Sequence, residues 1–340
     1  MIIRARKNAL FIVPNLKKIG GGPVSRISDF KKVFLKSHDI VIQKNKILSA
    51  LTSQNLNTVY VESATNRIGL SDFLALLILK FKSEKIIVFI RDIYIELFPE
   101  EYKSFRKSIT SYSNKFSNLF LTLISDQMAF PTEQMGKTFF EKHPKYPKKE
   151  YFALPPATIP TDTDNYYALS PSQKTGILFL GGTHYVNSGI ERFIEISKEL
   201  KDKFNFFVLT SDEDLNQRFS IPSHLVIQYV KRENIVNFMN ENNIGVAYHT
   251  RPRNFYDDIT FPIKVLDFIC YQIPFLSEKH IPIEQLMGKE YELFVDWSDL
   301  DDIINKTNNA TFFRDKHLSY LNELADNNTY DKRYLEIISR

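Results

Sequence analysis

Short, continuous apolar runs alternate along this chain with longer stretches of helical spacing, and this constrains its fold more than any other feature. Apolar runs stand at residues 10–13, 40–43, 58–62 and 86–90. Runs this short suit strands better than helices. The last, IIVFI, is apolar throughout, as strands covered on both faces of a parallel sheet are. Helical patterns fill the intervals at 46–53, 71–82 and 102–123, and a Gly20–Gly22 turn precedes another in ISDFKKVFLKS. Within 71–82, Ser71-Asp72 reads as an N-cap with its first-turn acid, and FLALLILKF as a buried helix. The 102–123 pattern reads as a helix polar on much of its surface. This rhythm predicts a doubly wound α/β domain.

Residues 144–176 break the rhythm. They are rich in proline, lysine and small polar residues, with one apolar run at 151–154. That run reads as the last strand of the first domain, followed by a linker. The alternation then restarts, with strands at 177–180, 206–209, 225–229, 244–248 and 275–277 and helices at 188–200, 233–241 and 262–271. The expected division is 1–160, 161–320, and a last segment, 321–340, packing back on the first domain. Two Rossmann-like domains in sequence are expected to face each other across a cleft between the carboxyl ends of their sheets. Ligands of open α/β sheets bind at such ends, and two of them suit a bisubstrate reaction.

Charge is divided unevenly. Residues 1–150 hold 25 basic and 13 acidic residues, a net +12, against −8 for the remainder and +4 for the whole. A basic first half points to an anionic partner such as a lipid surface, unless its lysines are only solvated helix backs. Interleaved arginine–aromatic motifs are lacking, so nucleic acid is not expected. The single cysteine, Cys270, excludes an internal disulfide and fits a reducing compartment. No run reaches the roughly 18–20 apolar residues of a membrane span. MIIRARKNALFIVP is too short in its apolar part for a signal peptide. The expected location is cytoplasmic, with peripheral contact on the inner membrane face.

Chemistry-bearing residues gather in the second half. In HTRPRNFYDDITFPIKVLDFICYQIP (residues 249–274) a polar loop leads from an apolar run into a helix start. Free N–H groups at such a start attract phosphate, and Lys264 adds charge there. Pro262 and Ile263 begin the helix, and Asp267, one turn on, can accept hydrogen bonds from sugar hydroxyls. Arg251 and Arg253 are further phosphate candidates. Gly182, Thr183 and His184 form a turn after another strand. In the first half, Arg91 and Asp92 directly follow the IIVFI strand. They read either as a pair binding an acceptor hydroxyl or phosphate, or as a structural ion pair. Gly21 and Gly22 would let the backbone approach a substrate. The histidines show no metal-ligand spacing, so no metal site and no cofactor is expected.

Residues 176–277 resemble the donor-binding domain of GT-B glycosyltransferases, in the family 4-like group (glycosyl transferases group 1). GILFLGGTHYVNSGIERFIEISKEL resembles that domain's first strand, glycine turn and helix. FNFFVLTSDEDL, VIQYVKRENIVNFMNENNIGVAYHT and FPIKVLDFICYQIPFLSEK resemble the segments that follow, in order. The resemblance implies that Asp267 stands for the acid binding the donor ribose. The acid that contacts the transferred sugar would fall at Ile259, and Asp257 and Asp258 are its nearest substitutes. The family's two diphosphate-binding cations would fall at Thr183 and Ser188, leaving Lys264, Arg251 and Arg253 to supply the charge. The implied activity is retaining, metal-independent transfer of a sugar from a nucleotide diphosphate to a glycan or lipid-linked acceptor, in envelope polysaccharide or glycoprotein synthesis. Arg91, Asp92, Asp258 and Lys264 are the catalytic candidates. A non-catalytic partner or chaperone of an active transferase is the rival reading.

Overall fold

The computed structural model describes residues 8–16, 22–44, 46–52, 56–63, 68–158, 167–185 and 187–340. The chain divides into two compact units, Met1–Ala157 with Tyr330–Arg340, and Thr158–Thr329.

Among its described residues the first unit holds strands β1 (Asn8–Val13), β2 (Ile40–Gln43), β3 (Leu56–Ser63), β4 (Ser83–Ile90), β5 (Gln127–Phe130) and β6 (Glu150–Ala153). All pair in parallel, in the order β2-β1-β3-β4-β5-β6. Helices α1 (Gly22–Lys36), α2 (Leu70–Lys82), α3 (Tyr94–Leu97), α4 (Phe105–Ile124) and α5 (Glu133–Lys142) connect them. The core is aromatic. Phe11 of β1 stacks on Phe34 of α1 with ring centroids 4.5 Å apart, and Phe30 and Tyr60 complete the cluster.

The second unit holds β7 (Gly176–Leu180), α6 (Ile190–Leu200), β8 (Asn205–Leu209), α7 (Leu215–Arg218), β9 (Leu225–Gln228), α8 (Ile235–Glu241) and β10 (Ile244–His249). There follow α9 (Phe255–Ile259), α10 (Ile263–Cys270), β11 (Phe275–Ser277), α11 (Ile281–Met287), α12 (Leu300–Phe312) and α13 (Arg314–Asn327). The sheet is parallel, in the order β11-β10-β7-β8-β9. Connections run one way from β7 and return on its other side to β10. The β7–β10 boundary is therefore the topological switch point, where loops diverge and leave a crevice. The last helix, α14 (Tyr330–Ser339), packs on α1 of the first unit: Tyr334 meets Phe34 edge-on at 5.1 Å and donates a hydrogen bond to Asp39.

Several local readings change. Ser71 is not an N-cap: α2 starts at Leu70 after Gly69, without a side-chain cap. The stretch at 46–53 is a 3-10 turn, Ile47–Thr52. The helix expected from residue 188 starts at Ile190, because Gly189 holds φ +86°. β5 and α5 were not legible, since QMAF is short and α5 follows it after only two residues. Neither α2 nor α4 has the surface expected of it. α2 exposes Leu70, Leu74, Ile78 and Phe81, and α4 exposes Phe105, Ile109, Tyr112, Phe116 and Leu123.

Candidate active site at the switch point of the second unit

The end of β7 runs into Gly181 and Gly182. Gly181 has φ +107°, which favours glycine, and a Cβ there would lie 2.8 Å from Cε of Lys264, so the lysine would have to shift. Lys264, in the first turn of α10, lies against this turn. Its Nζ is 3.4 Å from the Gly182 carbonyl oxygen and 4.5 Å from the ring centroid of Phe179. The aromatic face offers the ammonium partial compensation. Burial, reinforced by the charge of Arg251, pushes Lys264 down to about 7, with Asp212 and Asp267 acting in the opposite sense. α10 has Pro262 at its N-cap and no side-chain cap. The Val265 N–H turns back to the Pro262 carbonyl at 3.1 Å, which leaves the Ile263 and Lys264 N–H groups to water or a ligand at the positive end of the helix.

The turn itself is held from β8. Thr183, only 2% exposed, donates its N–H and its hydroxyl to Oδ2 of Asp212. Arg218 donates Nη1 to the Thr183 carbonyl at 3.0 Å and Nη2 to the hydroxyl at 2.6 Å. Burial alone would raise the Asp212 carboxyl, but the two Thr183 hydrogen bonds, with His184 and Arg218, hold it below its ordinary value. His184 is exposed, with Nε2 3.2 Å from Asp214 and 3.7 Å from Asp212. Thr183 therefore shapes the turn with its polar atoms.

The loop after β10 is internally paired. Nε of Arg251 contacts Asp257 at 2.7 Å, and Nε of Arg253 contacts both oxygens of Asp258 at 3.0 and 3.1 Å. Asn254 caps α9 and also donates to Asp257 at 2.6 Å. Asp258 further accepts from the Ile281 N–H at 3.2 Å. Ile259 is fully buried. The loop is moored to α6 through Gly189, where an added Cβ would meet the Arg251 nitrogen at 2.6 Å, and through a 2.7 Å bond from the Thr250 hydroxyl to the Gly189 carbonyl. His249 is buried at the strand end beside Ser277 and His280, and burial holds it well below its ordinary range. Asp267 is partly exposed, 3.9 Å from Arg232.

Both sheets are found in known proteins. No protein-family model and no curated protein matches the sequence. Solved structures do. HepE of Anabaena, in complex with UDP and glucose, is 10% identical over 98% of this chain and 100% of its own, with a TM-score of 0.62. An alpha-glucosyltransferase in complex with UDP and a 13-mer DNA, also 10% identical with the same coverage, gives 0.66. The lipopolysaccharide outer core galactosyltransferase WaaB gives 0.58 at 10% identity, over 98% of this chain and 99% of its own. The fold is GT-B.

On this GT-B frame the structure gathers Gly182, Thr183, Pro262, Ile263 and Lys264 at the switch point, with Asp267 one turn along α10. Arg251, Arg253, Asp257 and Asp258 form a separate paired loop. In the first unit, Gly21 lies outside the described residues and Gly22 opens α1. Arg91 and Asp92 follow β4, where Asp92 accepts from the Tyr94 N–H at 2.8 Å to start α3. Arg91 makes no hydrogen bond or ion pair among the described residues. Sequence reasoning missed Asp212 and Arg218. The available signal was a charge cluster, DEDLNQR, directly after a strand of the second sheet.

Proposed function

We propose that this chain is a glycosyltransferase, moving a hexose from a nucleoside diphosphate to a glycan or lipid-linked acceptor. The observation that carries this reading is Lys264, laid on a glycine turn at the uncapped start of α10. A half-buried cation at a switch point, beside the first helix N–H groups, suits an anionic leaving group. Two similarly folded proteins, HepE and the alpha-glucosyltransferase, were solved with UDP, which supports a uridine donor.

In this reading the bond between the anomeric carbon and the β-phosphate oxygen breaks, and a bond from that carbon to the acceptor oxygen forms. The acceptor proton passes to the leaving phosphate on the same face, retaining configuration. Charge growing on the diphosphate is met by Lys264 and the α10 N–H groups, with no metal required. Asp267 accepts from the ribose hydroxyls. Asp258 or Asp257 accepts from the transferred sugar, and Arg91 and Asp92 bind the acceptor. The products expected are envelope polysaccharide or glycoprotein glycans.

A second reading, a non-catalytic partner of an active transferase, is favoured by Ile259 and Thr183 standing where the resemblance expects an acid and a cation. A thermal-shift and calorimetric screen against UDP, GDP, ADP, CMP, dTDP and their sugars separates the two. Stabilisation by one nucleotide, lost in Asp267→Ala and Lys264→Met, supports the transferase. Absence of binding by every nucleotide, with no slow hydrolysis of any nucleotide sugar, sinks it in favour of the partner.

A further inference from the structure

An exposed apolar surface lies in the first unit, far along the sequence from the residues assigned to the donor. On α2, Leu70, Leu74, Ile78 and Phe81 recur at helical spacing on the outer face, with Leu70 78% and Phe81 89% exposed. On α4, Phe105, Ile109, Tyr112, Phe116 and Leu123 do the same, with Phe105 81% and Tyr112 74% exposed. The helices are neighbours. Phe73 of α2 packs on Phe120 at 4.1 Å and stacks on the exposed Phe116 at 6.3 Å, and the Ile68 N–H donates to Ser117. The two stripes thus border each other through Phe73 and Phe116. Isolated exposed apolar side chains are ordinary, but adjoining stripes of nine are a binding surface.

The charge around this face is mainly positive. Within α2 and α4 the single carboxylate, Asp72, is buried, while Lys82, Arg106, Lys107 and Lys115 are exposed. Of the nearby acids, Asp126 pairs with Lys80, Glu100 with Lys103, and Glu101 with the Tyr94 hydroxyl at 2.9 Å, while Glu84, exposed just after α2, acts on Lys85. A second copy docked on this face would set cations against cations. Apolar side chains rimmed by lysine and arginine fit the boundary between acyl chains and anionic headgroups. Among the described residues no helix is long and apolar enough to cross a membrane, so contact would be from one side.

We propose that the α2–α4 face docks on the surface of an anionic lipid bilayer. Phe81, Phe105, Tyr112 and Phe116 enter the headgroup region, and Lys82, Arg106, Lys107 and Lys115 neutralise lipid charge. This holds independently of the sugar-transfer reading. The test is co-sedimentation with phosphatidylcholine vesicles, with and without about one-third phosphatidylglycerol, at low and high salt. The wild-type chain should bind the anionic vesicles, weakly or not at all the neutral ones, and less in salt. Phe81→Ser/Phe105→Ser/Tyr112→Ser should lose at least about tenfold in partitioning, since three apolar insertions are removed. Circular dichroism and melting of the variant should match wild type. Equal binding of wild type and variant, equal binding to neutral and anionic vesicles, or no binding at all overturns the proposal. So does lipid-free dimerisation of the wild type that the triple variant abolishes, which makes the face an interface between copies.

Discussion

Two cations near the carboxyl ends of strands, one in each unit, differ in how their charge is met: Arg26 is buried and Lys264 half-buried. Arg26 of α1 forms an ion pair with Glu62 at the end of β3, lies 4.0 Å over the ring of Phe89, and shares Glu62 with the Tyr60 hydroxyl. Burial alone would lower the Arg26 pKa, but Glu62 and Tyr60 more than reverse this, so it is raised. Among the described residues Lys264 meets a carbonyl oxygen and an aromatic face at close range, and its pKa falls to about 7. A cation with its carboxylate is complete. One without it is poised to gain charge when an anion arrives.

Substitutions at the two positions should therefore behave oppositely. Arg26→Met leaves Glu62 buried without its ion-pair partner and should cost about 3–5 kcal/mol in urea unfolding. A loss below about 1 kcal/mol would show that Glu62 is readily neutralised and the contrast is false. Lys264→Met should leave stability unchanged or raised, while UDP affinity by calorimetry falls about 100-fold, as expected for a lost charged hydrogen bond. Retained UDP affinity would remove the distinction from the other side.

The pH dependence sharpens it further. Below about 7 Lys264 is protonated with or without ligand, so it imposes no penalty on binding. Above that pH the free chain must take up a proton to meet the diphosphate. Affinity should fall by up to about tenfold per pH unit until the raised pKa of the complex is reached. Calorimetry at pH 8 in buffers of different ionisation enthalpy should register uptake approaching one proton. Zero uptake would mean that Lys264 does not face the anion. Stability has its own sign: the unfolded chain, with an ordinary lysine, holds more protons above pH 7, so this group's penalty shrinks as pH rises from about 7 toward the ordinary value of 10.5. The smallest effect belongs to the turn's support. Thr183→Val deprives Asp212 and Arg218 of a hydroxyl and should cost about 1–2 kcal/mol, with a modest loss of UDP affinity. Wild-type stability in that variant would mean that water replaces the hydroxyl.

Which residues meet was less legible than which elements form. The apolar runs marked most strands because parallel strands are buried on both faces, so their composition is dictated locally. β5 escaped because four residues give too little periodicity to distinguish strand from helix. Lys264 and Asp267 were visible as a cation and an acid at a helix start. The pairing of Arg251 with Asp257 and Arg253 with Asp258 was not, since five or six residues of loop can bring many partners together.

Periodicity and composition alone determined two tandem parallel α/β units, a basic first half and a helix start in the second half that carries a cation and an acid. These follow from local patterns, because burial on a sheet or helix face imposes its spacing on neighbouring residues. Only the tertiary structure decided that Lys264 lies on the Gly181 turn, that Thr183 belongs to Asp212 and Arg218, and that α2 and α4 are apolar on their outer faces. Each depends on which elements pack together. A helix's apolar stripe is equally visible in sequence whether it is covered or bare, and only its neighbours settle which.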